Sequence, residues 1–288
     1  MDLTAFVEEV GTEGPVTAVG GRTQWHVGGA VAADAREVRA PEGIVEYEPA
    51  ELTVRCGAAT TVREVDEAVG VHGQLVALPD APGATVGGVL AVGQSGLRRL
   101  GYGPVRDVLL EARYVSAEGR LVKAGGPTVK NVSGFDLCRL LVGSLGTIGL
   151  LGEVRLRCRP QPARSQWFAG EADPFALRQA LHRPTSILWD GTTTWVLLEG
   201  HPVDVDDQAR LAGLAPVDGP PPVPTEGRRS LRPAELRALT GEFVAEIGVG
   251  IVHLPHPVVP PEPANPELHG RIKATFDPTG RLNPGRRA

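Results

Sequence analysis

An α+β fold is the class that this chain predicts, and three observations carry it. The 288 residues include 37 Gly and 26 Pro, which break the chain into short elements joined by tight turns and argue against a helical bundle. Residues 16–78 alternate strand, helix and strand, and the back half repeats short elements in the order β-α-β-β-α. Apolar content of 42% with 22% charged residues is ordinary for a soluble globular chain, of a size for one large domain or two smaller ones.

Composition also excludes. A net charge of −5 gives no basic face for nucleic acid. The N-terminal MDLTAFVEEVGTEG has acids where a signal peptide needs bases and an apolar run. The longest uncharged run, 81–97, is broken by Pro82 and five glycines, so no transmembrane segment is expected and a cytoplasmic location is. Cys56, Cys138 and Cys158 form no CxxC pair, which predicts buried thiols rather than a disulfide framework, an iron–sulfur cluster or another metal site.

In order, residues 3–11 form an amphipathic helix with Leu3, Phe6, Val7 and Val10 on one side. Strand 16–19 ends in Gly20, Gly21, Arg22, Thr23 and Gln24, a loop that serves equally as a phosphate cradle or a hairpin turn. Short strands follow at 38–39, 44–48 and 52–56. Thr60 or Thr61 caps helix 62–71, with Glu64 in its first turn, and strand 75–78 closes the unit. A Pro-containing entry then leads through a capping Thr85 into a helix carrying Gly87 and Gly88, where either a ligand or a neighbouring helix approaches closely. Strands 108–116 and 121–124 make a hairpin across residues 117–119. Helix 135–142 runs into the glycine-spaced turn Gly143, Gly146, Gly149, with Lys130 and Arg139 as nearby cations. That spacing either leaves backbone N–H groups open to an anionic or bulky group or simply joins the helix to strand 152–159.

The back half reads as strand 166–169, helix 174–182, strands 186–189 and 194–199, helix 205–214 and strand 247–254. Twelve of the 26 prolines fall between Pro216 and Pro266, so residues 216–229 are expected to be a loop or a partly disordered linker.

Residues 130–137 (KNVSGFDL) with 140–149 (LLVGSLGTIG) resemble the PCMH-type FAD-binding domain of the vanillyl-alcohol-oxidase superfamily. The likeness is strongest to its glycolate and D-lactate dehydrogenase branch, especially the FAD-binding subunit of glycolate oxidase. The usual ending G-(V/I)-(I/V)-T-E reads GLLGE at 149–153, without the threonine. Four further segments agree. Val19, Gly20, Gly21, Arg22, Thr23 and Gln24 stand where the superfamily carries its pyrophosphate loop, with arginine where a third glycine is common. Residues 85–96 follow its second flavin loop, T-(I/V)-G-G-x-(I/L)-A-x-x-x-x-G. Residues 98–107 are similar to the R-x-x-Y-G-x-x-R-D segment, and residues 276–286 to the F-D-P-x-G-x-(L/M)-N-P-G-(R/K) ending.

The resemblance implies a two-subdomain FAD domain over 1–163 (about 1–78 and 79–163). A small α+β cap would follow over 164–262, and a C-terminal segment, 263–288, would return to the FAD domain. It implies non-covalent FAD held by the residues of the first loop; by Pro82, Gly83, Ala84, Thr85, Gly87, Gly88, Gly93, Ser95 and Gly96; by Asp107; and by Gly143, Ser144, Gly146, Gly149, Leu150 and Leu151. His26 is read as a loop residue, because the R-S-G-G-H pattern of covalent flavin attachment is absent. Arg98, Arg99 and Arg106 either draw a carboxylate substrate or, for two of them at least, pair with Asp107 or Glu111. The H-x-G-D-G-N-(L/I)-H motif of full-length relatives is missing; its nearest counterpart, residues 248–256, offers His253 and His256. His253, Arg106 and Tyr102 are thus the catalytic candidates, with no general base identified.

The implied chemistry is flavin redox, a 2-hydroxy acid giving hydride to flavin N5 and electrons leaving through a partner. Partners would be a larger flavoprotein subunit and an iron–sulfur subunit, holding the chain at a membrane periphery. A free-standing flavin oxidase of another small alcohol or aldehyde and a non-catalytic FAD-binding scaffold are the alternatives. A nicotinamide enzyme is disfavoured by the lack of a complete G-x-G-x-x-G between strand and helix.

Overall fold

The computed structural model describes residues 1–79, 81–126, 135–259 and 265–287. Two units emerge: Met1–Ser95 with Pro104–Gln161 and Pro263–Ala288, and Gly96–Gly103 with Pro162–Glu262.

Local chemistry accounts for most elements. Helix α1 (Thr4–Val10) buries Phe6 and Val10, four residues apart on one face. Strands β1 (Val16–Ala18) and β2 (Arg36–Val38) pair in parallel; β3 (Ile44–Glu48) and β4 (Thr53–Gly57) follow. Helix α2 (Val62–Gly70) opens with a capping box: the Glu64 N–H donates to the Thr61 hydroxyl at 3.2 Å, and the Thr61 N–H donates to the Glu64 carboxylate at 2.8 Å. Strand β5 is Gln74–Val76. Helix α3 (Val86–Val92) begins where the Gly88 N–H donates to the Thr85 hydroxyl at 3.3 Å and stops at Gly93, φ 69°. Then come α4 (Arg99–Tyr102), the hairpin β6 (Leu109–Val115) and β7 (Leu121–Gly125), α5 (Leu137–Leu141) and β8 (Leu150–Pro160). The remaining elements are β9 (Arg164–Gly170), α6 (Pro174–Ala180), β10 (Ser186–Trp189), β11 (Thr194–Gly200), α7 (Pro202–Leu211), β12 (Ala215–Val217), β13 (Gly227–Ser230), α8 (Pro233–Leu236), β14 (Val244–Glu246), β15 (Ile251–Leu254) and α9 (Pro266–Phe276).

In the first unit a six-stranded sheet runs β3-β4-β8-β6-β7, with β5 also on β8. The eleven-residue β8 is its spine, pairing antiparallel with β4, β5 and β6. Val54, Cys56, Val154 and Leu156 from this sheet pack with Val65 and Val69 of α2 and Leu90 of α3 into one apolar core. Glu153 of β8, of opposite parity to Val154, is buried on the other face of the sheet. Burial alone would raise its carboxyl, but ion pairs with Arg55 at 3.0 Å and Arg113 at 3.3 Å hold it below the usual range.

The C-terminal segment belongs to this unit. Leu282 bridges Val16, and the Asn283 N–H donates to the Val16 carbonyl at 2.8 Å. The buried Arg281 guanidinium donates to the carbonyls of Val10, Glu13, Gly14 and Ala117. Four acceptors around one planar donor tie the end of the chain to its beginning.

The second unit is an antiparallel seven-stranded sheet, β12-β9-β11-β10-β14-β15-β13. One face, with Phe168, Ile187, Val196, Ala245 and Val252, packs on Leu177 of α6, Val205 and Ala209 of α7 and Leu236 of α8.

The fold is α+β, as the sequence predicts, with corrections in detail. Residues 216–229 are not all loop: β12 and β13 are the two edge strands of the seven-stranded sheet, where proline is tolerated because one side needs no N–H donor. Residues 247–254 are not one strand but the turn of a hairpin and its second strand, with Gly248 and Gly250 at φ 84° and 85°. Helix α9 has no counterpart in the sequence reading. The expected arginine pairs also change: Asp107 binds Arg139 at 2.8 Å, Glu111 binds Lys123 at 3.1 Å and Arg98 binds Glu199 at 3.1 Å. Lys130 and the KNVSG run lie outside the described residues.

Candidate functional site

An open cavity in the first unit lies between three backbone segments. The first segment contributes Val19, Gly20, Gly21, Arg22, Thr23 and Gln24. The second contributes Thr85, Gly87 and Gly88, and the third Ser144, Gly146, Gly149, Leu150 and Leu151. Pro82, Gly83, Ala84, Gly93, Ser95, Asp107 and Gly143 do not line it; Gly96 belongs to the second unit.

The first loop is a donor array. Val19 N–H completes the β1–β2 ladder by donating to the Val38 carbonyl at 2.9 Å, after which the N–H groups of residues 20–24 find no acceptor among the described residues. Five successive free donors at the mouth of a cavity form an anion cradle. The loop is held open by contact rather than by side chains: a Cβ on Gly21 would lie 1.7 Å from the Gly83 carbonyl oxygen, and one on Gly20 2.2 Å from Thr85 Oγ1. Glycine is therefore required where the first two loops meet.

The third segment works differently. The Gly143 N–H donates to the Leu90 carbonyl at 3.0 Å and the Gly146 N–H to Ser144 Oγ at 3.3 Å, so these are not open donors. The glycines here allow close approach: a Cβ on Gly146 would meet Asn283 Nδ2 at 2.4 Å, and one on Gly149 the Tyr114 ring at 2.4 Å.

Strain gathers at the cavity. Arg22, Leu145 and Asn283 line it with φ of 56°, 52° and 44°, left-handed backbone that a side chain disfavours. Arg22 stands where a glycine is common in the resembling loops. It is held by an ion pair to Glu37 at 2.5 Å and by stacking over the Trp25 ring at 4.9 Å. Asn283 accepts from Thr17 and donates to the Leu145 carbonyl at 2.6 Å, linking the first and third segments.

Sequence reasoning missed Asn283 and Arg286 as cavity residues, although both stand in the quoted NPGR ending. Arg286 also stacks on the Trp25 ring at 4.5 Å, donates to the carbonyls of Trp25, Val27 and Gly29, and has its pKa lowered by burial. Arg22 and Arg286 thus bring two positive charges to the donor array. His26 is exposed and lines a neighbouring depression rather than this cavity.

The catalytic candidates do not fall in one unit. Arg106 is exposed on a 3₁₀ turn, Val105–Asp107, of the first unit. Tyr102 on α4 and His253 on β15 belong to the second, where His253 Nε2 lies 2.8 Å from the buried Glu246 carboxylate. Cys56, Cys138 and Cys158 are free and buried. Among the described residues no cluster of His, Cys, Asp or Glu could hold a metal ion, and no helix is long and apolar enough to cross a membrane.

Residues 2–125 match the family described as FAD binding domain. The chain is 32% identical to glycolate oxidase subunit GlcE of Escherichia coli (strain K12) over 71% of its own length and 61% of that protein. It is 40% identical to a D-lactate dehydrogenase of Archaeoglobus fulgidus over 51% of its length and 34% of that protein. The chain thus spans about three fifths of one curated relative and a third of the other. Among solved structures an alkyldihydroxyacetonephosphate synthase shares the fold, with a TM-score of 0.68 and 14% identity over 94% of this chain and 71% of that one. Over residues 2–125 the chain is thus similar to an FAD-binding domain. Its cavity suits that cofactor: free N–H groups and two arginines for a diphosphate, and apolar and small side chains, Val19, Leu150, Leu151, Gly87 and Gly88, for the flat rings.

Proposed function

We propose that the chain is an FAD-dependent oxidoreductase acting on a small 2-hydroxy acid, working as the FAD-binding subunit of a glycolate oxidase-like assembly. The observation that carries this reading is the run of unpaired N–H groups at residues 20–24, opening into the cavity of an FAD-binding domain. FAD, when bound, supplies a two-electron acceptor for a C–H donor.

The chain's own residues bind and orient. The first loop, with Arg22 and Arg286, would hold the diphosphate through charge-assisted hydrogen bonds. Residues 85–88 and 144–151 would flank the remainder of the cofactor, and Thr85 fixes the start of α3 beside it. Binding is non-covalent on this reading, because His26 is absent from the cavity lining. The second unit would be the cap that carries substrate contacts, with the segment from residue 263 returning to the FAD domain. A larger flavoprotein subunit and an iron–sulfur subunit are the proposed partners, in the cytoplasm or at a membrane surface through them. The relatives' names, a glycolate oxidase subunit and a D-lactate dehydrogenase, support the substrate class.

The test is a visible spectrum of the purified chain, with and without added FAD, followed by anaerobic glycolate or D-lactate. A bound flavin that bleaches supports an active site within this chain; a bound flavin that bleaches only after partner subunits are added supports the assembly. Failure to bind FAD sinks the proposal.

A further inference from the structure

The second unit holds a cluster that the FAD-binding cavity does not use. Across the edge of its sheet, Arg228 of β13 stands directly opposite His253 of β15, which stands opposite Val244 of β14. Cross-strand partners share a face, and Glu246, two residues beyond Val244, shares it too. Val252 and Ala245, the neighbours of opposite parity, pack into the helix-covered core; Arg228, His253 and Glu246 therefore occupy the other face. There Glu246, 3% exposed, has its carboxylate 2.8 Å from His253 Nε2.

A buried carboxylate needs a bonded partner, and His253 supplies it. That leaves the positive charge nearby without one. Arg228 is largely buried, and among the described residues it forms no ion pair; its guanidinium feels the attraction of Glu246 and the repulsion of Arg99, on α4 of the same unit. Arg99 likewise pairs with no described carboxylate. Two guanidiniums that repel one another beside a carboxylate already engaged by histidine make a site short of one negative charge. A planar fork of donors matches a carboxylate in both shape and sign.

We infer that Arg228, supported by Arg99 and positioned beside the His253–Glu246 pair, forms a binding site for a small carboxylate in the second unit. That this carboxylate is the substrate's rests on the flavoprotein reading above; the binding itself does not.

The test is calorimetric titration of the full chain with oxalate, run with and without FAD, with uncharged oxamide as the control. Oxalate is expected to bind and oxamide not. Arg228→Ala should weaken oxalate roughly 10- to 100-fold, the loss of one charge-assisted pair, with Arg228→Lys recovering part of it. An arginine that served only to balance Glu246 would lower the melting temperature of Arg228→Ala and leave oxalate affinity unchanged, which overturns the inference. Equal binding of oxamide, or no oxalate binding, also overturns it. Should Arg228→Ala not fold, Arg99→Ala gives the same reading, with weakened oxalate binding expected and unchanged binding refuting. Loss of FAD binding with oxalate binding intact would sink the flavoprotein reading and leave this site standing.

Discussion

Gly21→Ala tests whether the cofactor loop depends on backbone meeting backbone. The added Cβ would lie 1.7 Å from the Gly83 carbonyl oxygen and 2.7 Å from its carbon, where ordinary contact begins at 3.4 Å. The two loops must therefore part by about 1.7 Å (3.4 − 1.7), and since both obstructing atoms are main chain, no rotamer relieves the clash. A shift of that size carries a 2.9 Å hydrogen bond past the roughly 3.5 Å at which it ceases to be one. If two of the N–H groups at residues 20–24 lose a phosphate oxygen, at about 1.5–3 kcal/mol each, the FAD dissociation constant rises by ~10²–10⁴-fold. The assay is titration of apo-protein with FAD followed by quenching of flavin fluorescence, with circular dichroism to show that the fold persists. Gly20→Ala should be milder, because its obstruction is the Thr85 side chain, and Gly219→Ala, with open space around it, should change nothing. Gly21→Ala binding FAD within threefold of wild type would refute the reasoning.

Three further outcomes are expected. Gly270 lies within α9, exposed and with nothing within 4 Å of an added Cβ; Gly270→Ala should stabilise by about 0.5–1 kcal/mol, seen as a rise of about 2 °C in melting temperature. Burial alone would raise the Asp277 carboxyl, but the Lys273 ammonium at 2.5 Å and the Leu282 and Arg281 N–H groups hold it below its ordinary 3.8. Its stabilisation is therefore full above pH 3.8 and lost as pH falls through the lower folded value. Asp277→Asn should cost about 1–3 kcal/mol at pH 7, with the gap to wild type closing only in that acid window; urea melts showing a constant gap down to pH 2 would contradict this. Burial pushes Cys56 and Cys158 up to about 12 and Cys138 to about 11, so all three thiols should resist an aromatic disulfide reagent at pH 8 until denaturant is added. Labelling of the native protein within minutes would be the contrary result.

The features legible from the sequence are those whose physics is local. Thr61 with Glu64, and Thr85 ahead of two glycines, announce helix starts because the bonds they make span three residues. The Gly20–Gly21 pair after a strand is readable as a place that excludes Cβ, but what excludes it, Thr85 and Gly83, is distant in the chain. Features set by distant contacts stayed hidden. β13 is polar (Gly227, Arg228, Arg229, Ser230) and exists because β15 offers it a free edge, not because its residues favour strand. α9 is the exception: Leu268, Ile272 and Phe276 recur at helical spacing and the last two pack on the first unit's core, a stripe that sequence reasoning missed. The arginine segment is not legible because charge partners need not be sequence neighbours. Asp107 instead found Arg139, thirty-two residues on, and Arg98 found Glu199. Asn283 and Arg286 make the same point at the cavity itself. Each reaches back more than 130 residues, Asn283 to the Leu145 carbonyl and Arg286 to the loop around Trp25. The candidate cofactor cradle is thus built from both ends of the first unit's chain. Its donors are local and readable, whereas the charges and bonds that hold those donors in place appear only once the C-terminal segment has returned.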